Sequence, residues 1–256
     1  MEDRNKSKWV RRIGIGLLVT VMFLTVWVLN FYNVAKPING ISAVPVCSVD
    51  TELKQVALTF DCLSFGDEIQ NIMYILDEFD AKATFFIPGK LALENRSAVL
   101  SLWAKGHDIG NMTYSYRQLG DAKANVIKSE IQECNATLQR ITKDECTLFR
   151  APYDDFGGRV VKTAAAMGMY SVRYDTDPLT WKPEVPVERA VEMAMENVKP
   201  GSIFLFKTNG KFVEDTLREV LTRLRMKGYE AVKVSDMLFT EDFAVDVNGT
   251  QVRIEK

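Results

Sequence analysis

The sequence contains almost no histidine: His107 is the single one among 256 residues, and only four cysteines accompany it. It has no CxxC pair and no Cys/His spacing typical of a structural zinc site. No GxGxxG or GxxxxGKS follows a hydrophobic run, which removes the usual nucleotide-binding signal. Basic residues are not in excess either, with 32 Lys and Arg against 34 Asp and Glu. We therefore do not expect nucleic acid as a partner.

A stretch without charge lies near the N-terminus, where residues 13–32 read IGIGLLVTVMFLTVWVLNFY. A helix of about 20 apolar residues is long enough to cross a membrane. The basic residues at this end come before the stretch, at Lys6, Lys8, Arg11 and Arg12. The positive-inside rule then predicts a cytoplasmic segment 1–12, a transmembrane helix 13–32 and an extracytoplasmic remainder. The predicted location is the cell membrane, crossed once.

A cleaved signal peptide is the alternative interpretation of the same stretch. Its apolar run exceeds the usual 7 to 15 residues of such peptides, and the best cleavage candidate, ISA at 41–43, is a weak match. The length of the run favours the anchor.

Short hydrophobic runs alternate with amphipathic stretches after residue 53. The runs predict buried strands at 55–60, 83–87, 107–111, 147–151, 169–174, 202–206 and 230–234. The amphipathic stretches predict helices at 67–80, 124–141, 187–198 and 213–228. We therefore expect a linker at 33–53, a domain at 54–239, and a tail or edge strand at 240–256.

Alternation of strands and helices indicates an α/β fold with a parallel sheet covered by helices. A closed (β/α) barrel and an open doubly wound sheet both satisfy the pattern. In either case functional residues collect where strands end.

Four cysteines in an exported domain are able to pair. We expect Cys134 and Cys146 to form the bridge if one exists. The alternative is that Cys47, Cys62, Cys134 and Cys146 are all reduced and buried, since free cysteine packs well in cores.

Polar and aromatic residues follow the predicted strands in recognisable motifs. These motifs are ALTFDC, GHDIGNMTYSY, FRAPYDDFG, DTDPLTW and SIFLFKT. In this order, over about residues 47–238, they resemble the polysaccharide deacetylase (NodB homology) family, most closely its membrane-anchored sporulation-type members. The resemblance implies a distorted (β/α) barrel and a metal-dependent removal of acetyl groups from N-acetylated sugars.

The resemblance also implies roles for individual residues. Asp61 stands at the general base position, and Arg150 and Asp177 stand at the other retained catalytic positions. The alternative, which we favour over catalysis, is structural: Asp61 pairs with Arg150 or Lys207, and Asp177 pairs with Arg150. Tyr153 and Trp181 are candidate substrate-binding residues, because aromatic rings at the edge of a pocket stack on sugars.

The chain departs from the family pattern where the metal and the general acid should be. The degenerate positions are Cys62 for an aspartate ligand, Met112 and Tyr116 for two histidine ligands, Thr180 for an acid, and Lys207 for a late histidine. A thioether and a phenol are poor ligands for zinc at neutral pH. We therefore expect no metal and no cofactor, unless an atypical site built on Asp61, Cys62 and Tyr116 holds zinc or another divalent ion.

The sequence is consistent with three functions. The first is a catalytically impaired pseudoenzyme that binds cell-wall glycan or an envelope protein. The second is an active deacetylase with an atypical metal site. The third is a structural envelope or sporulation protein whose helices, rather than its groove, make the contacts.

Overall fold

The computed structural model of the protein describes Met22 and residues 43–254. The predicted cytoplasmic segment 1–12, the predicted membrane helix 13–32 apart from Met22, and the linker as far as residue 42 lie outside the described residues. No helix in the described part combines the length and hydropathy needed to span a membrane. The α/β domain occupies the residues from 43 onward.

A parallel sheet built from the hydrophobic runs forms the centre of the domain. Its strands are β2 (Gln55–Asp61), β3 (Thr84–Ile87), β4 (Asp108–Asn111), β5 (Leu148–Phe149), β6 (Tyr170–Ser171), β7 (Ile203–Lys207) and β8 (Glu230–Val232). They lie in the order β6-β5-β4-β3-β2-β7, and β8 pairs with the first residues of β2. The sheet curls into a half-barrel, with β6 and β7 as its outer strands.

Helices cover the outer face of this sheet, except for the last and shortest one, Val234–Met237, which packs on the inner face. They are α1 (Asp67–Glu78), α2 (Gly89–Glu94), α3 (Arg96–Ala104), α4 (Ala124–Thr142), α5 (Gly158–Ala166), α6 (Val187–Glu196), α7 (Val213–Met226) and α8 (Val234–Met237). The four helices predicted from amphipathic periodicity are α1, α4, α6 and α7. Helix α7 buries Leu217, Val220, Leu221 and Leu224, the face that its sequence spacing predicts.

The sheet divides the core into two layers because successive strand residues point to opposite faces. Val56, Leu58 and Phe60 of β2 pack between sheet and helices. Ala57 of β2 lies on the inner face, in a cluster that also contains Phe86. Asp61 therefore ends β2 on the inner face, where the concave side of the half-barrel opens.

The two ends of the predicted domain meet in a small second sheet. Strand β1 (Ser48–Val49) pairs in parallel with β10 (Thr250–Arg253), which pairs antiparallel with β9 (Phe243–Val245). The backbone N–H of Val49 donates to the Gly201 carbonyl at 3.0 Å, so β1 is also tied to the main domain. The segment interpreted as a linker thus contains one short paired strand, and the tail contains two.

Three sequence expectations need correction in detail. The runs at 147–151 and 169–174 contribute only two strand residues each, Leu148–Phe149 and Tyr170–Ser171. The run at 230–234 ends in helix α8 rather than continuing as strand. Of the two alternatives for the cysteines, a bridge between Cys134 and Cys146 is not formed, and the structure has all four cysteines free and buried. The thiols of Cys47, Cys134 and Cys146 face backbone carbonyls instead, with Cys134 Sγ 3.6 Å from the Ile87 oxygen.

Candidate functional site

A cleft of about 270 Å³ opens at the carboxyl ends of β2 and β7. It brings together seven of the ten residues singled out from the sequence: Asp61, Tyr116, Arg150, Tyr153, Asp177, Trp181 and Lys207. These residues come from strand ends and from the loops that follow β4, β5 and β6. Parallel strands place all of these segments at one edge of the sheet, which is why residues so distant in sequence share one cleft.

An ion pair lies at the base of the cleft. Arg150 Nη1 lies 3.0 Å from Asp61 Oδ1, and the arginine side chain is 2% exposed. The same guanidinium donates to the carbonyls of Val172 at 3.1 Å and Arg173 at 2.8 Å. Burial raises the pKa of Asp61, while the charges of Arg150 and Lys207 oppose that rise. The arginine is thus held by three partners and fixes the carboxylate.

Asp177 organises the opposite wall. Its Oδ1 accepts a hydrogen bond from the Leu179 backbone N–H at 2.7 Å, and its Oδ2 from Trp181 Nε1 at 3.4 Å. Burial raises the pKa of Asp177, and these hydrogen bonds and the charge of Lys207 oppose the rise. Lys207 Nζ lies 4.7 Å from the centre of the Trp181 ring, a cation–π distance. The wall therefore combines a carboxylate, an indole and an ammonium group.

Two tyrosines form an aromatic edge above the ion pair. The rings of Tyr116 and Tyr153 lie 4.9 Å apart. Both residues adopt left-handed backbone conformations, with φ of 56° and 60°, which is unusual for side chains of this size. Burial and the nearby Asp61 raise the pKa of Tyr116 to about 12. Tyr153 is 63% exposed, so its ring faces solvent at the mouth of the cleft.

Cys62, Met112 and Thr180 do not line the cleft. Cys62 has no exposed surface and packs in the helix-facing core with Phe60, on the opposite side of the sheet from Asp61. Met112 is 1% exposed and packs against the inner apolar cluster. Thr180 is 3% exposed, and its hydroxyl has no hydrogen-bond partner.

The residues at the metal-ligand positions do not fit a catalytic divalent ion. Burial and the charge of Asp61 raise the pKa of Cys62 well above its ordinary value, so the sulfur stays a neutral thiol. Tyr116 stays a neutral phenol, and Asp61 is already paired with Arg150. Within the described chain no cluster of three or more His, Cys, Asp or Glu side chains has metal-binding geometry. The donor chemistry disagrees with a zinc site of three protein ligands.

Sequence reasoning missed several lining residues, notably Asp154, Phe156 and Tyr174. Asp154 accepts hydrogen bonds from Arg173 at 2.7 Å and 2.5 Å, which ties the loop after β5 to the segment after β6. Asp154 and Phe156 belong to the FRAPYDDFG motif, and Tyr174 directly precedes the DTDPLTW motif. All three residues lie within a motif or directly before one, and this proximity is the sequence signal that could have identified them.

The fold and the cleft together define an α/β half-barrel with a polar, aromatic-edged groove at the carboxyl ends of its strands. Residues 48–172 match the polysaccharide deacetylase family. A chitooligosaccharide deacetylase of Azorhizobium caulinodans is 30% identical, over 59% of this chain and 71% of the relative. The chain belongs to the polysaccharide deacetylase family.

The chain is also similar to a second curated protein and to a solved structure. A peptidoglycan-N-acetylglucosamine deacetylase of Bacillus cereus is 29% identical, over 72% of this chain and 88% of the relative. The crystal structure of a CE4 family pseudoenzyme from Bacillus anthracis superimposes with a TM-score of 0.73 at 21% identity, covering 84% of this chain and 74% of that one. The second likeness concerns the fold alone.

Proposed function

We propose that this protein is a catalytically impaired member of the family that binds cell-wall glycan through its cleft. The observation that carries the proposal is the position of Cys62, which lies on the far side of the sheet from Asp61 and within the apolar core. An aspartate ligand cannot be replaced by a thiol that does not reach the cleft. The departures at Met112 and Tyr116 remove the remaining ligands of the family pattern.

The late histidine position supports the same proposal. Lys207 stands there, and its ammonium group faces the Trp181 ring at 4.7 Å. Its charge acts on both Asp61 and Asp177. A cation between two carboxylates balances charge that the metal would otherwise balance. Lys207 at this position therefore favours a cleft that binds a ligand over a cleft that transfers protons to a leaving group.

The edge of the cleft supports glycan as the ligand. Tyr153 is 63% exposed and Trp181 is 41% exposed, which is much for aromatic side chains in an otherwise well-packed domain. Flat aromatic faces beside polar groups bind the apolar faces and the hydroxyl groups of sugar rings. The Bacillus cereus relative acts on peptidoglycan N-acetylglucosamine, and we propose peptidoglycan as the glycan here.

A solved structure of similar fold belongs to a protein that has lost enzymatic activity. The Bacillus anthracis structure is that of a pseudoenzyme, and a mutant of it with restored enzymatic activity superimposes on this chain with a TM-score of 0.73 at 23% identity. The half-barrel therefore persists when activity is lost and when it is restored.

We also propose a place at the cell envelope. The uncharged run at 13–32 and the basic residues before it support a single membrane anchor with the domain outside the cytoplasm. Peptidoglycan is reached from that side of the membrane. An envelope protein partner at the same cleft, or at the outer helices with a structural or sporulation role, is the competing outcome of the binding test.

The test measures retention of the full-length protein on insoluble peptidoglycan. Trp181→Ala removes an exposed ring at the edge of the cleft, and we expect retention to weaken about tenfold, which corresponds to about 1.4 kcal/mol. Tyr74→Ala is the matched control, because Tyr74 is 64% exposed on α1 and does not line the cleft. Equal retention of both variants and the natural protein would contradict binding through the cleft.

A further inference from the structure

A second cavity, of about 520 Å³, lies at the opposite end of the sheet. It opens beside the first residues of β4 and β5, whereas the cleft lies beside the last residues of β2 and β7. Its polar lining includes Trp103, His107, Asp108, Asp144, Glu145 and Lys233. Its volume falls within the range of about 300–1,000 Å³ that small-molecule sites occupy. The cleft uses none of these residues.

The histidine of this cavity carries a donor without an acceptor. His107 is 3% exposed, and its Nδ1 accepts a hydrogen bond from the Ala83 backbone N–H at 3.3 Å. The neutral ring must therefore bear its proton on Nε2, which has no partner in the described protein. A buried donor left unpaired costs about 1–3 kcal/mol. A ligand oxygen in the cavity would supply the missing acceptor.

The tryptophan of the cavity is held in place. Trp103 Nε1 donates to Asp144 Oδ2 at 2.6 Å, which joins α3 to the loop before β5. The indole is half-buried, so part of its ring remains available at the cavity wall. A fixed, partly exposed indole beside hydroxyl-binding groups is a feature of sugar sites.

Three acidic residues and one lysine line the cavity, and Lys82 and Lys105 lie near enough to act on His107. Asp108 is already satisfied, because it accepts hydrogen bonds from Thr84 and Ser235 and lies 3.8 Å from Lys233. Lys233 also pairs with Asp236 at 3.3 Å. Glu145 is exposed at the cavity wall, and no Lys or Arg of residues 43–254 lies within ion-pairing distance of it. Glu145, which has no counter-ion among residues 43–254, and Trp103, which Asp144 holds in place, thus line the same cavity.

We propose that this cavity binds a sugar that carries a free amino group. The ammonium group pairs with Glu145, the sugar ring stacks on Trp103, and a hydroxyl oxygen accepts from His107 Nε2. Two independent features select this class of ligand. The unpaired imidazole donor requires an oxygen acceptor, and the uncompensated carboxylate favours a cation over a neutral acetamide.

The test uses the full-length Trp181→Ala variant, in which we expect glycan binding by the cleft to be weakened, and glucosamine oligomers titrated by calorimetry. N-acetylglucosamine oligomers of the same length are the matched ligands. We expect the amino form to bind at least about tenfold more tightly than the acetylated form. Binding that is equal for both forms, or absent for the amino form, would overturn the proposal.

Variants assign the binding to this cavity. Glu145→Gln removes the charge at an exposed position, and we expect binding of glucosamine oligomers to weaken at least about tenfold. Glu94→Gln is the control, since Glu94 is exposed on α2 and outside the cavity. No difference between the two variants would refute the site.

A histidine variant tests the unpaired donor. In His107→Asn the amide oxygen takes the place of Nδ1 and keeps the bond to Ala83, but no group replaces Nε2–H. We expect weaker binding of glucosamine oligomers, measured at a temperature at which both proteins are folded. Trp181→Ala, in the cleft, should leave glucosamine binding unchanged. Loss of binding in Trp181→Ala would place the ligand in the cleft instead, so this test fails independently of the peptidoglycan experiment.

Discussion

The guanidinium of Arg150 lies 3.0 Å from the carboxylate of Asp61, and both side chains are buried at the base of the cleft. The arginine also stacks on Phe86, with its central carbon 4.2 Å from the ring centre. Two backbone carbonyls accept the remaining hydrogen bonds of the guanidinium and hold it in this position. The pair therefore belongs to the structural core of the cleft, whatever chemistry occurs there.

Removing the arginine alone should strongly destabilise the protein. Arg150→Met leaves Asp61 as an unpaired buried charge, and we expect the free energy of unfolding to fall by about 3–5 kcal/mol. Urea unfolding followed by circular dichroism measures it. The double variant Arg150→Met with Asp61→Asn should recover part of the loss, because the uncompensated charge is gone. A loss below about 1 kcal/mol in the single variant would show that the pair is not buried as described.

His107 should make stability depend on pH. Burial lowers its pKa from 6.5 to about 4. Between these values the unfolded chain binds a proton that the folded protein does not, so stability falls as pH falls through this window. The slope should reach about 1.4 kcal/mol per pH unit.

The His107→Asn variant isolates the contribution of His107 to the pH dependence of stability. Buried carboxyl groups such as Asp61 and Asp177 have raised pKa values and contribute an opposite slope in the acid range. Those groups are the same in both proteins, so the difference between the two unfolding curves belongs to the imidazole. Parallel curves from pH 7 to pH 4 would refute a neutral, buried His107.

A glycine pair tests the docking of β1. Gly201 has φ of +80°, and a Cβ there would lie 1.8 Å from the Val49 carbonyl oxygen. Gly201→Ala should lower the free energy of unfolding by more than about 2 kcal/mol. Gly157→Ala is the control, because a Cβ at Gly157 meets nothing within 4 Å, and its effect should stay below about 1 kcal/mol. Similar losses in both variants would mean that β1 does not pack against Gly201.

The four cysteines should be reduced and slow to react. Burial raises the pKa of Cys47 and Cys62, and raises that of Cys146 to about 12, so little thiolate is present at neutral pH. Ellman's reagent should label the native protein slowly and all four thiols in denaturant. Mass spectrometry that found a bond between Cys134 and Cys146 would contradict the free thiols seen here.

Periodicity predicted the elements whose sequence pattern is long. Helix α4 was predicted at 124–141 and observed at Ala124–Thr142, and β2 was predicted at 55–60 and observed at Gln55–Asp61. Strands β5 and β6 are shorter than the hydrophobic runs that predicted them. Some of the loop residues next to these strands are also buried and apolar, so hydrophobicity does not mark where the strand ends. Strand β1 has only two residues and pairs with β10 across the length of the domain, so no local pattern reveals it.

The cleft was predictable as a set of strand ends, but the direction of each side chain was not. The motifs correctly brought Asp61, Arg150 and Asp177 to one place. The adjacent Cys62 points the other way, because alternation along β2 carries it into the helix-facing core. The interpretation of the cavity near His107 as a binding site depends on the unpaired Nε2 of that residue, and a sequence does not show which hydrogen bonds are formed.

The measurement that tests the central claim most directly is release of acetate from N-acetylglucosamine oligomers and peptidoglycan fragments, with zinc or cobalt added. The natural full-length protein is compared with the Bacillus cereus peptidoglycan-N-acetylglucosamine deacetylase as the positive control. We predict no metal-dependent release by the natural protein and measurable release by the relative. Metal-dependent release by the natural protein would contradict the account and require an atypical metal site in the cleft.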